Sequence, residues 1–327
     1  MTMPIDATLA QFSDWSFRSA FGVYLLAAVF LIAQYATLTV TASERKAEKQ
    51  LVPAGKAPLR PTGPGRIEEA PKRPMSERYG GMGYALVVLG LLLTVTSTVL
   101  RGFATDRFPL GNMYEFVTMA TAAATATSVV ALRKMRPTLI FVVVPVMILM
   151  FLAATVLYAD AAPVVPALRS YWLPIHVTIV SIGSGIFLVA GVASLLFLLR
   201  MRFPATEDGA GTGALARFAQ RLPDAQTLDR LAYKTTIIGF PLFGAGVILG
   251  AIWAEAAWGR FWGWDPKETV SFIAWVVYAA YLHARATSGW RNTRAAWINV
   301  AGFVAMLFNL FIINMVVSGL HSYAGLN

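Results

Sequence analysis

Residues 253–275 read WAEAAWGRFWGWDPKETVSFIAW, and their chemistry decides how the rest of the chain is arranged. The stretch holds five of the nine tryptophans: Trp253, Trp258, Trp262, Trp264 and Trp275. Between two apolar runs it places Glu255, Arg260, Asp265, Lys267 and Glu268. That mixture is too polar to cross a bilayer and too apolar for open water. It belongs at the membrane–water interface, where indole rings are stable. The strip also ends in a helix start, with Asp265 as N-cap, Pro266 at the first helical position and Glu268 placed to complete a capping box. By counts alone an aromatic belt is the plainer reading, but a belt spreads one or two rings over each helix end. Here Trp258, Trp262 and Trp264 fall within seven residues, punctuated by Gly259 and Gly263. Glycines let flat rings approach closely, which suits a large planar apolar ligand better than lipid headgroups.

Outward from this strip the chain is apolar. Of its 327 residues 57% are hydrophobic and 13% charged, the composition of a polytopic membrane protein. Spans of about 20 apolar residues, the length that crosses ~30 Å of hydrocarbon, are expected at 21–40, 83–100, 111–132, 138–158, 172–199, 235–254, 269–286 and 296–317. The fold class is therefore all-α, a membrane bundle of about eight helices. Residues 1–42 hold the first helix behind an external N-terminus, 43–78 form a polybasic cytoplasmic linker, and 79–327 make a seven-helix domain carrying the aromatic motif at 253–268. Residues 1–20 lack the basic start and small-residue cleavage site of a secretory signal. Pro145 and Pro241 should kink their helices, and 215–233 is expected to form an amphipathic surface helix.

The formal charge of +10 would suit a nucleic-acid binder, but the positions of the charges exclude that reading. With both termini outside, 21 of the 27 basic residues fall in the inner loops and 6 on the outer face. That asymmetry orients the bundle and puts the aromatic strip outside, on the cell membrane's outer face. With no cysteine, the chain has neither disulfide nor thiol ligand.

Three histidines remain as metal ligands. His176 opens the fifth span and His321 follows the eighth, both at the depth of the aromatic strip. His283 lies 15 residues beyond Glu268 on the seventh helix, roughly 22 Å deeper at 1.5 Å per residue. Each taken alone is more ordinarily a hydrogen-bonded interfacial residue. Together, two imidazoles flanking an aromatic shelf supply the axial nitrogens that haem iron commonly takes. His283, ionisable inside the membrane, has no second histidine at its depth and needs a partner subunit or a weaker ligand.

The segment WGRFWGWDPKET resembles the tryptophan-rich "WWD" motif of the haem-handling proteins of cytochrome c maturation. With its DPKE ending it looks most like the CcsA (ResC) family of the system II pathway. PLGNMYE at 109–115, LDRLAYKTTIIGFPLFGAGVILGAIWAEAAWG before the motif, and AWVVYAAYLHAR and GLHSYAG after it extend the resemblance over roughly 80–327. It implies that His176 and His321 ligate an external haem b, and that Trp253, Trp258, Phe261, Trp262, Trp264 and Asp265 bind it. Phe261 departs from the tyrosine or tryptophan common in such motifs. It further implies that His283 shares an inner haem with a histidine of a CcsB (ResB) partner. Haem then passes outward and is presented to the CxxCH segment of apocytochrome c, whose thiols other, thioredoxin-like proteins keep reduced. On that reading the chain is a component of a holocytochrome c synthase complex rather than a lone enzyme, and no residue is assigned acid–base catalysis. The alternatives are a haem transporter serving a separate chaperone, a haem-b electron carrier, and a scaffold anchored by its tryptophans.

Overall fold

The computed structural model describes residues 5–51, 74–164, 168–204, 213–290 and 292–321, the side chains of 39–51 excepted. Among the described residues there are nine α-helices and no strand. They are α1 (Ala7–Leu51), α2 (Met75–Thr105), α3 (Met113–Ala131), α4 (Ile140–Thr155), α5 (Trp172–Arg202), α6 (Ala214–Gln220), α7 (Ala225–Trp258), α8 (Pro266–Ala286) and α9 (Thr293–Met315). A 3₁₀ turn, Arg136–Leu139, leads into α4. Each of the eight expected spans falls on a helix. Six, counting α4 with its 3₁₀ turn, are long and apolar enough to cross a membrane: α1, α2, α4, α5, α7 and α9.

α3 and α8 fall outside that criterion for reasons visible in their sequences. α3 is built from alanine and threonine, and the hydroxyls of Thr118, Thr121, Thr125 and Thr127 donate at 2.8 Å to carbonyls three or four residues earlier. Such back-bonding satisfies the hydroxyl inside an apolar bundle. α8 carries Lys267, Glu268, His283 and Arg285.

α1 lies along α2, and α5 lies along α7 while also meeting α3 and α9; α8 packs on α9. The α5–α7 seam is close because small residues line it: a Cβ on Gly183 would stand 3.2 Å from the Phe243 backbone, and one on Gly246 2.4 Å from Val180. Phe187 of α5 stacks on Tyr278 of α8 with ring centroids 3.6 Å apart. Asn299 of α9 donates to Thr236 of α7, tying a buried amide to the same core.

Three boundaries differ from the sequence expectation. α1 continues to Leu51 and α2 begins at Met75, so helix occupies both ends of the polar stretch 43–78; residues 52–73 lie outside the described set. The helix expected at 215–233 is broken in two. Pro223 has no N–H to continue α6, and Asp224 caps α7 by accepting from Thr227 N–H at 2.8 Å. The helices continue through Pro145 and Pro241.

Candidate functional site

α7 and α8 meet at the aromatic strip. α7 ends at Gly259, whose φ of 70° takes the left-handed conformation and whose N–H donates to the Glu255 carbonyl at 2.9 Å. The loop that follows is held by one carboxylate. Glu268 accepts from Gly263 N–H at 2.9 Å and Asp265 N–H at 3.1 Å, and pairs with Arg260 at 3.3 Å. With Asp265 capping the helix in return, the expected capping box is present. Arg260 lies across Gly263, where a Cβ would fall 1.6 Å from the guanidinium, so a side chain there would displace the arginine from Glu268.

Asp265 does more than cap. Its Oδ1 accepts from Leu320 N–H at 2.9 Å and its Oδ2 from His321 Nδ1 at 2.8 Å. The segment after α9 is thereby folded back onto the start of α8. Burial alone would raise the Asp265 carboxyl, but the hydrogen bonds from His321, Leu320 and Lys267 outweigh it and hold its pKa at about 2. Burial pushes the His321 imidazole below its ordinary value against the opposing pull of Asp265.

His176 is fixed from the opposite side. Its Nδ1 donates to the Gly246 carbonyl on α7 at 2.7 Å, and its ring lies over Gly250, where a Cβ would stand 2.7 Å from Cε1. Both histidines therefore use Nδ1 as a donor to an acceptor of fixed position. In a neutral imidazole this leaves Nε2 as the lone-pair nitrogen, the tautomer a metal ligand needs.

Trp253 joins the pair. Its indole is parallel to His176 with centroids 6.2 Å apart and edge-on to His321 at 5.8 Å. Trp258 meets His321 at 4.9 Å and Trp253 at 4.7 Å. Only 2% of Trp253 is exposed, and its Nε1–H is buried without a partner. His176, His321, Trp253 and Trp262 all line one cavity of about 150 Å³. That is below the usual 300–1,000 Å³ of a ligand pocket, so a ligand of haem size enters only if rings move.

The other expected site residues stand apart from the cavity. Phe261 and Trp264 are 50% and 65% exposed on the rim, Trp264 with a left-handed φ of 58°. Trp264 packs edge-on to Trp262 at 5.9 Å, and Phe272 continues the stack at 6.3 Å from Trp264. His283 lies on an exposed face of α8, shared with Ile273, Val276 and Ala280 at helical spacing. Since α8 is continuous, His283 remains roughly 22 Å from the strip.

Sequence reasoning missed two parts of this cavity. One is the brace beneath its α3 side. Buried Glu115 pairs with Arg101 at 3.0 Å and Arg107 at 2.9 Å and accepts from Gly111 N–H at 2.7 Å, fixing the turn that presents Leu110 and Asn112. The other is a set of polar side chains on α8 and α9: Lys267, Ser271, Asn309 and Asn314. Asn309 and Asn314, asparagines inside an apolar helix, were the available signal.

Comparison with known proteins gives the family. A family model described as "Cytochrome C assembly protein" matches residues 110–321, which contain all the elements of the cavity. The chain belongs to that family. Its relatives include proteins named "Cytochrome c biogenesis protein CcsA" from Parasynechococcus marenigrum, 36% identical over 76% of this chain and 88% of the relative, and from Guillardia theta, 33% identical over 75% and 86%. Another, from Rippkaea orientalis, is 34% identical over 75% of this chain and 87% of that protein. This CcsA-family member is thus a multi-pass helical membrane protein.

Proposed function

We propose that the protein serves cytochrome c biogenesis by holding haem b between His176 and His321 and presenting it to apocytochrome c. The observation that carries this is the matched pair of imidazoles. Each spends Nδ1 on a fixed acceptor, neither Nε2 has a hydrogen-bond partner among the described residues, and both border one aromatic-walled cavity. Haem is cargo here, and the two histidines supply its axial ligands while Trp253, Trp258 and Trp262 supply apolar faces. Phe261 and Trp264, exposed on the rim, extend the apolar surface on which the macrocycle first lands.

Thioether formation adds each thiol of a CxxCH segment across a haem vinyl group. A C–S bond forms at one vinyl carbon and the thiol proton goes to the other, so no oxidant is consumed, but the thiols must arrive reduced. The chain's lack of cysteine accords with thiols that belong to the substrate and are kept reduced elsewhere, by thioredoxin-like proteins. Its contribution is to hold haem in position, which can account for several kcal/mol of a barrier.

The basic asymmetry supports both termini and the aromatic strip lying outside the cell membrane, with 43–78 as the inner linker and 79–327 as the haem-handling domain. His283 is then near the inner face on the outward side of α8, where a CcsB-like subunit can supply the second ligand of an inner haem. Haem moves from that site to the outer one. Absorption spectra of the protein purified with its partner test this order. His321→Ala is expected to lose the outer haem and retain the inner one, whereas His283→Ala loses both. A normal outer haem in His283→Ala would overturn the relay, and unchanged spectra in His176→Ala and His321→Ala would remove the outer site.

A further inference from the structure

The outer cavity has two kinds of wall. On the α5, α7 and α3 sides it is apolar, with Val177, Val180, Phe243 and Phe116. On the α8–α9 side it is polar. Lys267 Nζ donates to Asn314 Oδ1 at 2.5 Å, Asn309 Nδ2 donates to Ser271 Oγ at 2.7 Å, and Asn314 Nδ2 donates to the Asn309 and Leu310 carbonyls of its own helix.

Two features of this wall are unspent. Among the described residues Lys267 is in no ion pair: no carboxylate oxygen comes within 4.0 Å of its ammonium, although Asp265 and Glu268 are its sequence neighbours. Both carboxylates are turned away, Asp265 to His321 and Leu320, Glu268 to Arg260 and the loop N–H groups. An ammonium has three donors, and the Asn314 amide uses one. Asn309, for its part, has its Oδ1 buried without a partner. The Ser271 hydroxyl can donate as well as accept, so the Asn309 amide can turn to accept from it and offer its NH₂ to the cavity. Lys267 and an amide donor stand on the polar side of a largely apolar chamber, which Asn112, Ser184, Glu268 and the two histidines also line. Burial lowers the Lys267 pKa to about 7, and an anion that arrives with an apolar body would hold the amine protonated.

We propose that Lys267, backed by Asn309 and Asn314, is a carboxylate-binding subsite of this cavity and takes a propionate of the bound porphyrin. The inference rests on the haem reading above and adds the direction of the ring: the carboxylate edge is drawn to the α8–α9 wall. The same subsite discriminates between haem and neutral planar molecules that the tryptophans alone would accept. Lys267 is then a positioning and specificity residue, acting on the rim of the ligand rather than on its iron.

The test is a titration of the haem-free full chain with haem and with haem dimethyl ester, whose propionates carry no charge, followed by the Soret band. The wild-type protein is expected to bind haem about tenfold or more tightly than the diester, the range of one charge-assisted hydrogen bond. In Lys267→Met the two affinities should converge, with the histidine-ligated spectrum unchanged for either porphyrin. Equal affinity for both porphyrins in the wild type, or undiminished discrimination in Lys267→Met, would overturn the subsite. The wild-type ratio decides on its own if the variant fails to accumulate. If neither porphyrin binds the wild type, the haem site itself fails, which is a different result from a lost preference.

Discussion

At the level of single residues, Asp265 has the most varied set of partners. It caps α8, anchors the chain after α9 and orients His321, three tasks that one substitution can separate. Asn ranks with Asp as an N-cap, so Asp265→Asn should leave the helix start intact and remove the negative charge behind the imidazole. Outer-shell partners of ligating histidines commonly contribute 10- to 100-fold in affinity. We therefore expect Asp265→Asn to lower haem affinity about tenfold while helical circular dichroism stays constant; undiminished affinity would show that His321 needs no oriented carboxylate. Trp262 gives a second residue-level contrast. Trp262→Phe keeps an apolar ring on the cavity wall and is expected to be mild, whereas Trp262→Ala removes a large contact area and should reduce haem retention in purified protein. Equal, severe losses would assign the indole a role other than apolar contact.

At the level of elements, the meeting of α5 and α7 sets the geometry of His176. Gly246 supplies the carbonyl that takes its proton, and Gly250, one turn later, leaves the room its ring fills. Adding a methyl group at Gly250 drives the imidazole off its acceptor, so Gly250→Ala should lower haem occupancy by several-fold without unfolding α7. Gly22, with nothing within 4 Å of its added Cβ, is the control. A Gly250→Ala protein with normal haem content would count against a fixed imidazole. Such pairings also mark where reading the sequence stops. The helix start at Asp265–Pro266 and the eight spans were legible, because capping chemistry and apolar run length are local properties. That His176 and His321 would lie beside the aromatic strip was legible for the same reason. That Asp265 would bind His321, 56 residues later, was not, since a cap and a ligand support are the same residue type in sequence. Nothing in the sequence marks Gly246 and Gly250 as the seat of one imidazole. The break at Pro223–Asp224 was readable in principle: proline followed by aspartate is an ordinary helix restart, and the apolar spacing across 215–233 obscured it.

For the whole molecule, orientation in the membrane decides whether the cavity faces the apocytochrome. Reporter fusions at Asn327 and within residues 43–78 should give opposite signals, external for the first and cytoplasmic for the second. A cytoplasmic signal from both would put the two outer histidines on different sides from the proposed substrate. The architecture also bears on which metals the protein leaves alone. Among the described residues no group of three or more His, Asp or Glu side chains is arranged to hold an ion, and the one carboxylate on His321 is bonded to its Nδ1. Zinc is held by four protein ligands in structural sites and by three plus water in catalytic ones. An iron inside a ring of four nitrogens lacks only two ligands, the number that His176 and His321 would offer on the proposed function. On the proposed function, the guest would bring most of its own coordination and the protein would add two imidazoles.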